Sequence, residues 1–232
     1  MKRAGNGGFT LIELLVVMGV IGVLTTLLLP AFHRARASTH AIGCKANLRE
    51  LGHALALYLD DWDGFIPRRG QGVQKLGVIN RMSDWFNCLP PYAGLPSYFE
   101  MAAAGQRLQE GEHSVLVCPT ATDPGWLHFL PYGMNMYLSP WIRPASHRIT
   151  EILHPSQTVF MADAQGSYSA AVPSKKEYSV VARHQGKANL LFLDHHCEGF
   201  DGAYLGCGVG DPRRSDVRWE TGTGGVNQPP IE

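Results

Sequence analysis

The chain is poor in charge and has no excess of either sign: only 17% of its 232 residues are charged, with twenty Lys and Arg against twenty Asp and Glu. A protein that holds nucleic acid through its phosphates needs a positive surface, so composition argues against a nucleic-acid partner. Charge this sparse also excludes a disordered acidic or basic tail and a coiled coil. Proline is nearly missing at the start, Pro30 being the only one of fifteen before Pro67. The beginning is therefore free to be helical, and the remainder reads as a loop-rich body. Catalytic signatures are lacking as well: there is no Gly-x-Ser-x-Gly, no His-Glu-x-x-His and no phosphate-cradling glycine loop. The expectation is a protein that is not an enzyme.

What the sequence does have stands at its start. Residues 1–8 are short, polar and basic (Lys2, Arg3) and end in Gly7-Gly8. Residues 9–32 then carry a single charge, Glu13. As a helix they reach about 36 Å, enough for the roughly 30 Å hydrocarbon core of a bilayer. A buried core helix normally keeps a polar stripe, and none is present between Leu14 and Leu24. A lone carboxylate in such a run is costly, which marks Glu13 as either solvated at the headgroup boundary or functional.

Gly8-Phe9-Thr10-Leu11-Ile12-Glu13-Leu14-Leu15-Val16-Val17 resembles the prepilin processing site of type IV pilins and type II secretion pseudopilins. The resemblance implies that prepilin peptidase cuts between Gly8 and Phe9 and N-methylates Phe9. It also places Glu13 at the family's acidic position, where the side chain neutralises the new amine of a neighbouring subunit, and Pro30 where pilin helices often carry proline. A carboxylate among packed helices needs such a counter-charge. The competing scheme is a secretory signal peptide cut after Ala35-Arg36-Ala37, against which stand the length of the apolar run and Glu13 within it.

The helical pattern does not stop at Pro30. Ala41, Cys44, Leu48, Leu51, Leu55, Tyr58 and Trp62 recur at alternating spacings of three and four, one face of an amphipathic helix. Asp63-Gly64 and Pro67 supply the stop. The expected organisation is a leader at 1–8, a long helix at 9–63 whose residues 9–32 span the membrane, and a globular α+β domain at 64–232.

In that domain β-like runs are expected at 114–118, 158–162, 178–184, 188–194 and 197–200, and short helices at 96–109 and 149–153. His184-Gln185-Gly186-Lys187 reads as a hairpin turn with a loop of about three residues. Leu190-Leu191-Phe192-Leu193 is apolar without alternation, which suits a strand covered on both faces. The expected fold is α+β and pilin-like, with the long N-terminal helix packed on a small antiparallel sheet.

Arg183-His184-Gln185-Gly186 and Asn189-Leu190-Leu191-Phe192-Leu193-Asp194 are similar to the closing signature of prepilin-like proteins from planctomycetes and verrucomicrobia, a His followed ten residues later by Asp-Gly. Here His195 replaces the Gly, and it would be strained wherever Gly adopts positive φ. Other pieces of that group's pattern are Cys44 with Asn47-Leu48-Arg49, Tyr58 through Asp63-Gly64, Trp85 ahead of Leu89, Cys118-Pro119 and Tyr132-Gly133-Met134-Asn135. A catalytic pairing of His184 with Asp194 is not expected, because a strand of six residues separates them by about 20 Å.

Weaker signals remain. Asp194-His195-His196-Cys197 matches a palmitoyltransferase tetrapeptide by chance, lacking that family's flanking Cys-x-x-Cys motifs. Its histidines would point to opposite faces of a strand rather than share an ion. Asp201, Asp211 and Asp216, with glycines between, could offer oxygens to Ca²⁺, the only cofactor suggested. Cys44 with Cys118, and Cys197 with Cys207, are the candidate disulfides, leaving Cys88; five free thiols are the alternative.

The whole reads as a single-pass inner-membrane prepilin-like subunit of a pseudopilus or type IV pilus-like filament, with its C-terminal domain in the periplasm. The expected partners are prepilin peptidase, other pilin or pseudopilin subunits and the inner membrane. The reading from another class is an anchored or secreted binding module, with polysaccharide as the candidate ligand, using Trp85, Trp126, Tyr132 and Trp141 as stacking platforms. Buried rings would favour the scaffold and exposed coplanar rings the binding module. A secreted metalloenzyme built on the His-rich turn is a third, weaker option.

Overall fold

The computed structural model describes residues 10–71, 75–139 and 147–220. One helix, α1 (Leu11–Asp61), contains Pro30 and runs through both of the compact units into which the chain divides, residues 1–39 and residues 40–232. The second unit thus begins inside the helix, at His40, rather than at Gly64, because the later turns of α1 belong to its core.

Within the first unit the side chains from Leu11 to Phe32 are exposed, and the helix is long and apolar enough to cross a membrane. The threonines of this stretch satisfy themselves. Thr25 Oγ1 donates to the Ile21 carbonyl at 2.7 Å and Thr26 Oγ1 to the Val23 carbonyl at 2.8 Å, leaving little unpaired polarity to lipid. Pro30 removes the donor that the Thr26 carbonyl would otherwise use.

In the second unit the predicted stripe is buried at Cys44, Leu48, Leu51, Leu55 and Tyr58, joined by Gly52, Ala54 and Leu59. Trp62 departs from it. It lies one residue beyond α1, 57% exposed, and its ring stacks on Tyr58 at 5.6 Å. The helix stops as its sequence dictates: Asp63 and Gly64 take φ of 50° and 74°, and Gly64 N–H returns to the Leu59 carbonyl at 2.8 Å.

Among the described residues the sheet has five strands in the order β3-β1-β2-β4-β5. They are β1 (Leu130–Asn135), β2 (Val159–Gly166), β3 (Ala170–Ala171), β4 (Lys187–Phe192) and β5 (Cys197–Asp201). It is mixed rather than antiparallel, because β3 pairs parallel to β1. Gly133 permits that pairing: a Cβ there would lie 2.8 Å from the Ala170 carbonyl carbon and from Ala171 Cβ. The β4–β5 hairpin keeps an unbroken register from Lys187↔Asp201 to Leu191↔Cys197.

Both faces of the sheet are covered. Leu191 and Leu193 join Leu48, Leu51, Leu55, Trp85 and Phe86 in one core, and Ala188, Leu190 and Phe192 join Val159, Leu205 and Trp219 in the other. The unalternating run at 190–193 is apolar for that reason. In β2 a bulge between Val159 and Met161 puts Phe160 and Met161 into the same core.

Four expectations change. Residues 114–118 are a turn, not a strand: Val117 N–H bonds to the Ser114 carbonyl, and Asn47 Nδ2 donates to the Ser114 and Val117 carbonyls at 3.2 and 2.8 Å. Residues 178–184 make only isolated bridges, Ser179 with Val172, Val180 with Ala164 and His184 with Lys187. The last closes a two-residue turn in which Gln185 and Gly186 take φ of 54° and 83°, so the hairpin loop is shorter than expected. Of the short helices, α3 is Tyr98–Ala103, with Ser97 and Glu100 forming a capping box, and the other is a single 3-10 turn at Ile149–Glu151. The other short helices among the described residues are α2 (Trp85–Cys88), α4 (Gly202–Leu205) and a 3-10 turn at Pro90–Ala93.

The turn after β4 forms with His195 at φ 72°. The left-handed conformation costs an L-residue roughly 1–2 kcal/mol, and His195 Nε2 is buried with no hydrogen-bond partner among the described residues. His195→Gly removes both penalties while adding unfolded-chain entropy of about 0.5–1 kcal/mol. The variant is expected to gain up to ~1 kcal/mol and raise Tm by about 2–4 °C. A lower Tm in a thermal melt would mean that the packing of the His195 side chain, whose Cβ stands beside Gly52, outweighs the backbone strain.

Candidate functional site

The first candidate lies at the start of α1. Gly8 and Phe9 fall outside the described residues, but Glu13 does not. Its Oε2 accepts the Thr10 backbone N–H at 2.9 Å and the Thr10 hydroxyl at 2.7 Å, while Thr10 Oγ1 receives the Glu13 N–H at 3.3 Å. This is a capping box, in which residues three apart satisfy each other's free backbone donors. The signal was present in the sequence as Thr-x-x-Glu ahead of an apolar run, and reading Glu13 only as a charge missed it. The carboxylate is exposed and accepts through Oε2 in both bonds, so it can satisfy its own helix and still face a cation.

The second lies inside the unit formed by residues 40–232. Cys44 from α1, Cys118 from the turn after Val117, Asp163 from β2 and His184 from the tight turn before β4 are all buried, and one ligand atom from each lies within 4.8 Å of the others. Cys44 Sγ donates to Asp163 Oδ1 at 3.2 Å. Cys118 Sγ lies 3.4 Å and Asp163 Oδ2 lies 3.3 Å from His184 Nε2.

Neighbours hold this group in place. Thr120 Oγ1 is 3.4 Å from His184 Nδ1, and Asn189 N–H donates to Asp163 Oδ2 at 2.8 Å. Tyr132 donates to Cys44 Sγ at 3.3 Å, and Arg183 Nε is 3.9 Å from Asp163 Oδ1. Tyr132 stands opposite Asp163 across β1 and β2, which explains how both reach Cys44.

Electrostatics divide the two thiols. Burial pushes Cys44 up, whereas Cys118 is drawn down, chiefly by a hydrogen bond from Cys44. The Cys44 S–H thus lies between two acceptors, the Asp163 carboxylate and the Cys118 sulfur. Burial alone would lower His184, but Asp163 and Cys118 outweigh it and carry its pKa to about 9. Cys118 is therefore the thiol that gives up its proton more readily, and His184 holds its proton more tightly than a free imidazole.

The cluster is not a nucleophile triad. The carboxylate and the sulfur both meet Nε2, whereas a relay needs the carboxylate on the opposite ring nitrogen. All four groups are also buried, away from any substrate.

The remaining predicted residues disperse. All five cysteines are free thiols; Cys44 and Cys118 are brought together, and no bond joins Cys197 to Cys207. Asp201 caps α4 through Ala203 N–H and Tyr204 N–H, Asp211 accepts Arg213 N–H at 2.8 Å, and Asp216 accepts the Tyr204 hydroxyl at 2.7 Å. Among the described residues these three carboxylates do not converge with one another into a metal-binding group. Asp194 bonds His196, by its backbone N–H at 3.2 Å and by Nδ1 at 2.5 Å, so its partner is its own turn and not His184.

Of the four aromatic platforms, Trp85 and Tyr132 are fully buried and Trp141 lies outside the described residues. Trp126 is 44% exposed, with Lys75 Nζ 3.2 Å above its ring.

An apolar helix that opens on a Thr10–Glu13 capping box and continues into the core of an α+β body fits a class, a membrane-anchored protein of pilin-like build. Residues 3–29 match the family described as the prokaryotic N-terminal methylation motif. The chain is 35% identical over 74 residues to the type IV major pilin protein PilA of Myxococcus xanthus, a match covering 28% of this chain and 34% of that protein. It is 36% identical over 74 residues to the ComG operon protein 3 homolog of Bacillus licheniformis, covering 32% of this chain and 75% of that protein. No solved structure matches. The chain belongs to the prepilin and pseudopilin family. It spans about a third of the length of the Myxococcus pilin and most of the ComG relative.

Proposed function

We propose that this protein is a structural subunit of a pilus-like filament, either a type II secretion pseudopilus or a type IV pilus-like fibre. In this reading prepilin peptidase removes residues 1–8 at the inner membrane and methylates Phe9. The apolar start of α1 holds the subunit in the bilayer with its globular body on the periplasmic side, and then packs with other subunits. The role is assembly rather than catalysis.

The observation that carries this reading is the run of exposed apolar side chains along one helix, from Leu11 to Phe32, most of it within the residues 3–29 that match the methylation motif. Such a surface is stable only in lipid or against other helices. The burial of Trp85 and Tyr132 counts against the carbohydrate-binding alternative, since neither ring can stack on a ligand.

The test is the mature N-terminus, read by mass spectrometry on protein from the native membrane. N-methylated Phe9 is expected. A start at Ser38 would mean removal of the whole apolar segment and would overturn the assignment.

A further inference from the structure

The Cys44, Cys118, Asp163 and His184 cluster has no part in filament assembly as proposed, and its geometry is that of a metal centre. We propose that these four side chains form a closed, tetrahedral Zn²⁺ site that ties the buried half of α1 to the sheet of the globular unit.

The donors suit the ion. Zinc takes thiolate, imidazole and carboxylate ligands in fours when its role is structural. With Zn–S of ≈ 2.3 Å and Zn–N or Zn–O of ≈ 2.0–2.2 Å, a tetrahedron has edges of about 3.3–3.8 Å. Two edges meet at His184 Nε2, 3.4 Å to Cys118 Sγ and 3.3 Å to Asp163 Oδ2, Cys44 Sγ lies 3.2 Å from the other carboxylate oxygen, and one ligand atom from each residue lies within 4.8 Å of the others. The two sulfurs favour zinc over the hard oxygen-seeking cations. All four ligands are buried, which leaves no open coordination position for substrate and makes the centre structural.

The surroundings are those of a metal site too. A ligating imidazole is normally fixed through its other nitrogen, and here Thr120 Oγ1 stands 3.4 Å from His184 Nδ1. The Asn189 N–H holds the carboxylate and the Tyr132 hydroxyl holds the Cys44 sulfur. Two thiolates and a carboxylate on Zn²⁺ leave one negative charge, and the Arg183 guanidinium, 3.9 Å from Asp163, offsets it. Zn²⁺ would take both cysteines as thiolates and His184 as neutral imidazole, with any protons they carry passing to solvent and no redox change. Each ligand comes from a different segment, so the ion would crosslink a helix, a turn, a strand and a hairpin that are distant in sequence.

The experiment is metal analysis of the full chain, purified in detergent without chelator. About one zinc per chain is expected, as for a closed structural site. Cobalt exchanged into the site should give a thiolate charge-transfer band and the strong visible bands of a tetrahedral centre. Cys118→Ser should lower zinc content at least about tenfold while Cys88→Ser, outside the cluster, retains it. If Cys118→Ser does not fold, the zinc content and cobalt spectrum of the wild type decide alone. Three results would overturn the proposal: no stoichiometric zinc after reduction and reloading, an intact mass showing a Cys44–Cys118 disulfide, or equal zinc in both variants.

Discussion

Trp85→Ala is expected to destabilise the globular unit by about 3–5 kcal/mol, the range for emptying a large buried aromatic site. The indole is fully buried in the core that also holds Leu48, Leu51 and Leu55 of α1, and it meets Phe86 edge-on at 5.8 Å. Its Nε1 donates to the Ser169 carbonyl at 2.7 Å, which ties α2 to the segment leading into β3. That carbonyl also accepts Met134 N–H at 3.0 Å, so the truncation leaves a cavity but no orphaned acceptor. Cavity and lost transfer energy therefore dominate.

Against a total stability of roughly 5–15 kcal/mol, the loss lowers Tm by about 6–20 °C. Trp85→Phe, which keeps most of the ring, should cost no more than about 1–2 kcal/mol. Trp126→Ala, at a ring 44% exposed, should stay within about 1 kcal/mol. Thermal melts of the three variants check the order. A Trp85→Ala protein as stable as wild type would return Trp85 to the role of a ligand platform.

How much of this was legible in the sequence depended on whether the cause was local. The buried stripe of α1 shows as a three-and-four spacing because a helix turns at a fixed rate, and the Asp63-Gly64 stop shows because only certain residues tolerate positive φ. Leu190 to Leu193 announced a strand covered on both faces, as found. Strand β1 was not legible. Its sequence, Leu-Pro-Tyr-Gly-Met-Asn, has a proline and a glycine where strand formers are expected, and the glycine is there because β3 approaches too closely for a side chain. The segment 114–118 looked like a strand but is held as a turn by Asn47, a contact supplied by a distant helix.

The buried cluster lies at the far end of this scale. Cys44, Cys118 and His184 each stood out as fragments of a resemblance, and Cys44 was paired with Cys118 as a disulfide. Asp163, which touches both Cys44 and His184, was never singled out. No short motif spans the four, because each arrives on a different element. His184 looked for a partner along its own hairpin, whereas its partners are Asp163 on β2 and Cys118 and Thr120 of a distant turn.

Glu13→Ala is expected to leave the protein in the membrane and exclude it from filaments. Membrane retention follows because Leu11 to Phe32 stays apolar, and removal of a carboxylate makes insertion easier by a few kcal/mol at most. Exclusion follows if the carboxylate pairs with the amine of a neighbouring Phe9, since an ammonium packed among apolar helices without its counter-ion costs several kcal/mol. Glu13 also caps its own helix through Thr10, and alanine removes that contact as well, at about 1 kcal/mol. The two contributions separate in Glu13→Gln. Glutamine serves a capping box as glutamate does but carries no charge, so it should keep the helix start and still fail to assemble. The readout is the ratio of variant to wild-type protein in sheared or isolated filaments against that in membranes, with at least a tenfold fall expected for both substitutions, the ratio equivalent to about 1.4 kcal/mol. Normal incorporation of Glu13→Gln would reduce the residue's role to capping, and normal incorporation of Glu13→Ala would remove Glu13 from the assembly step altogether.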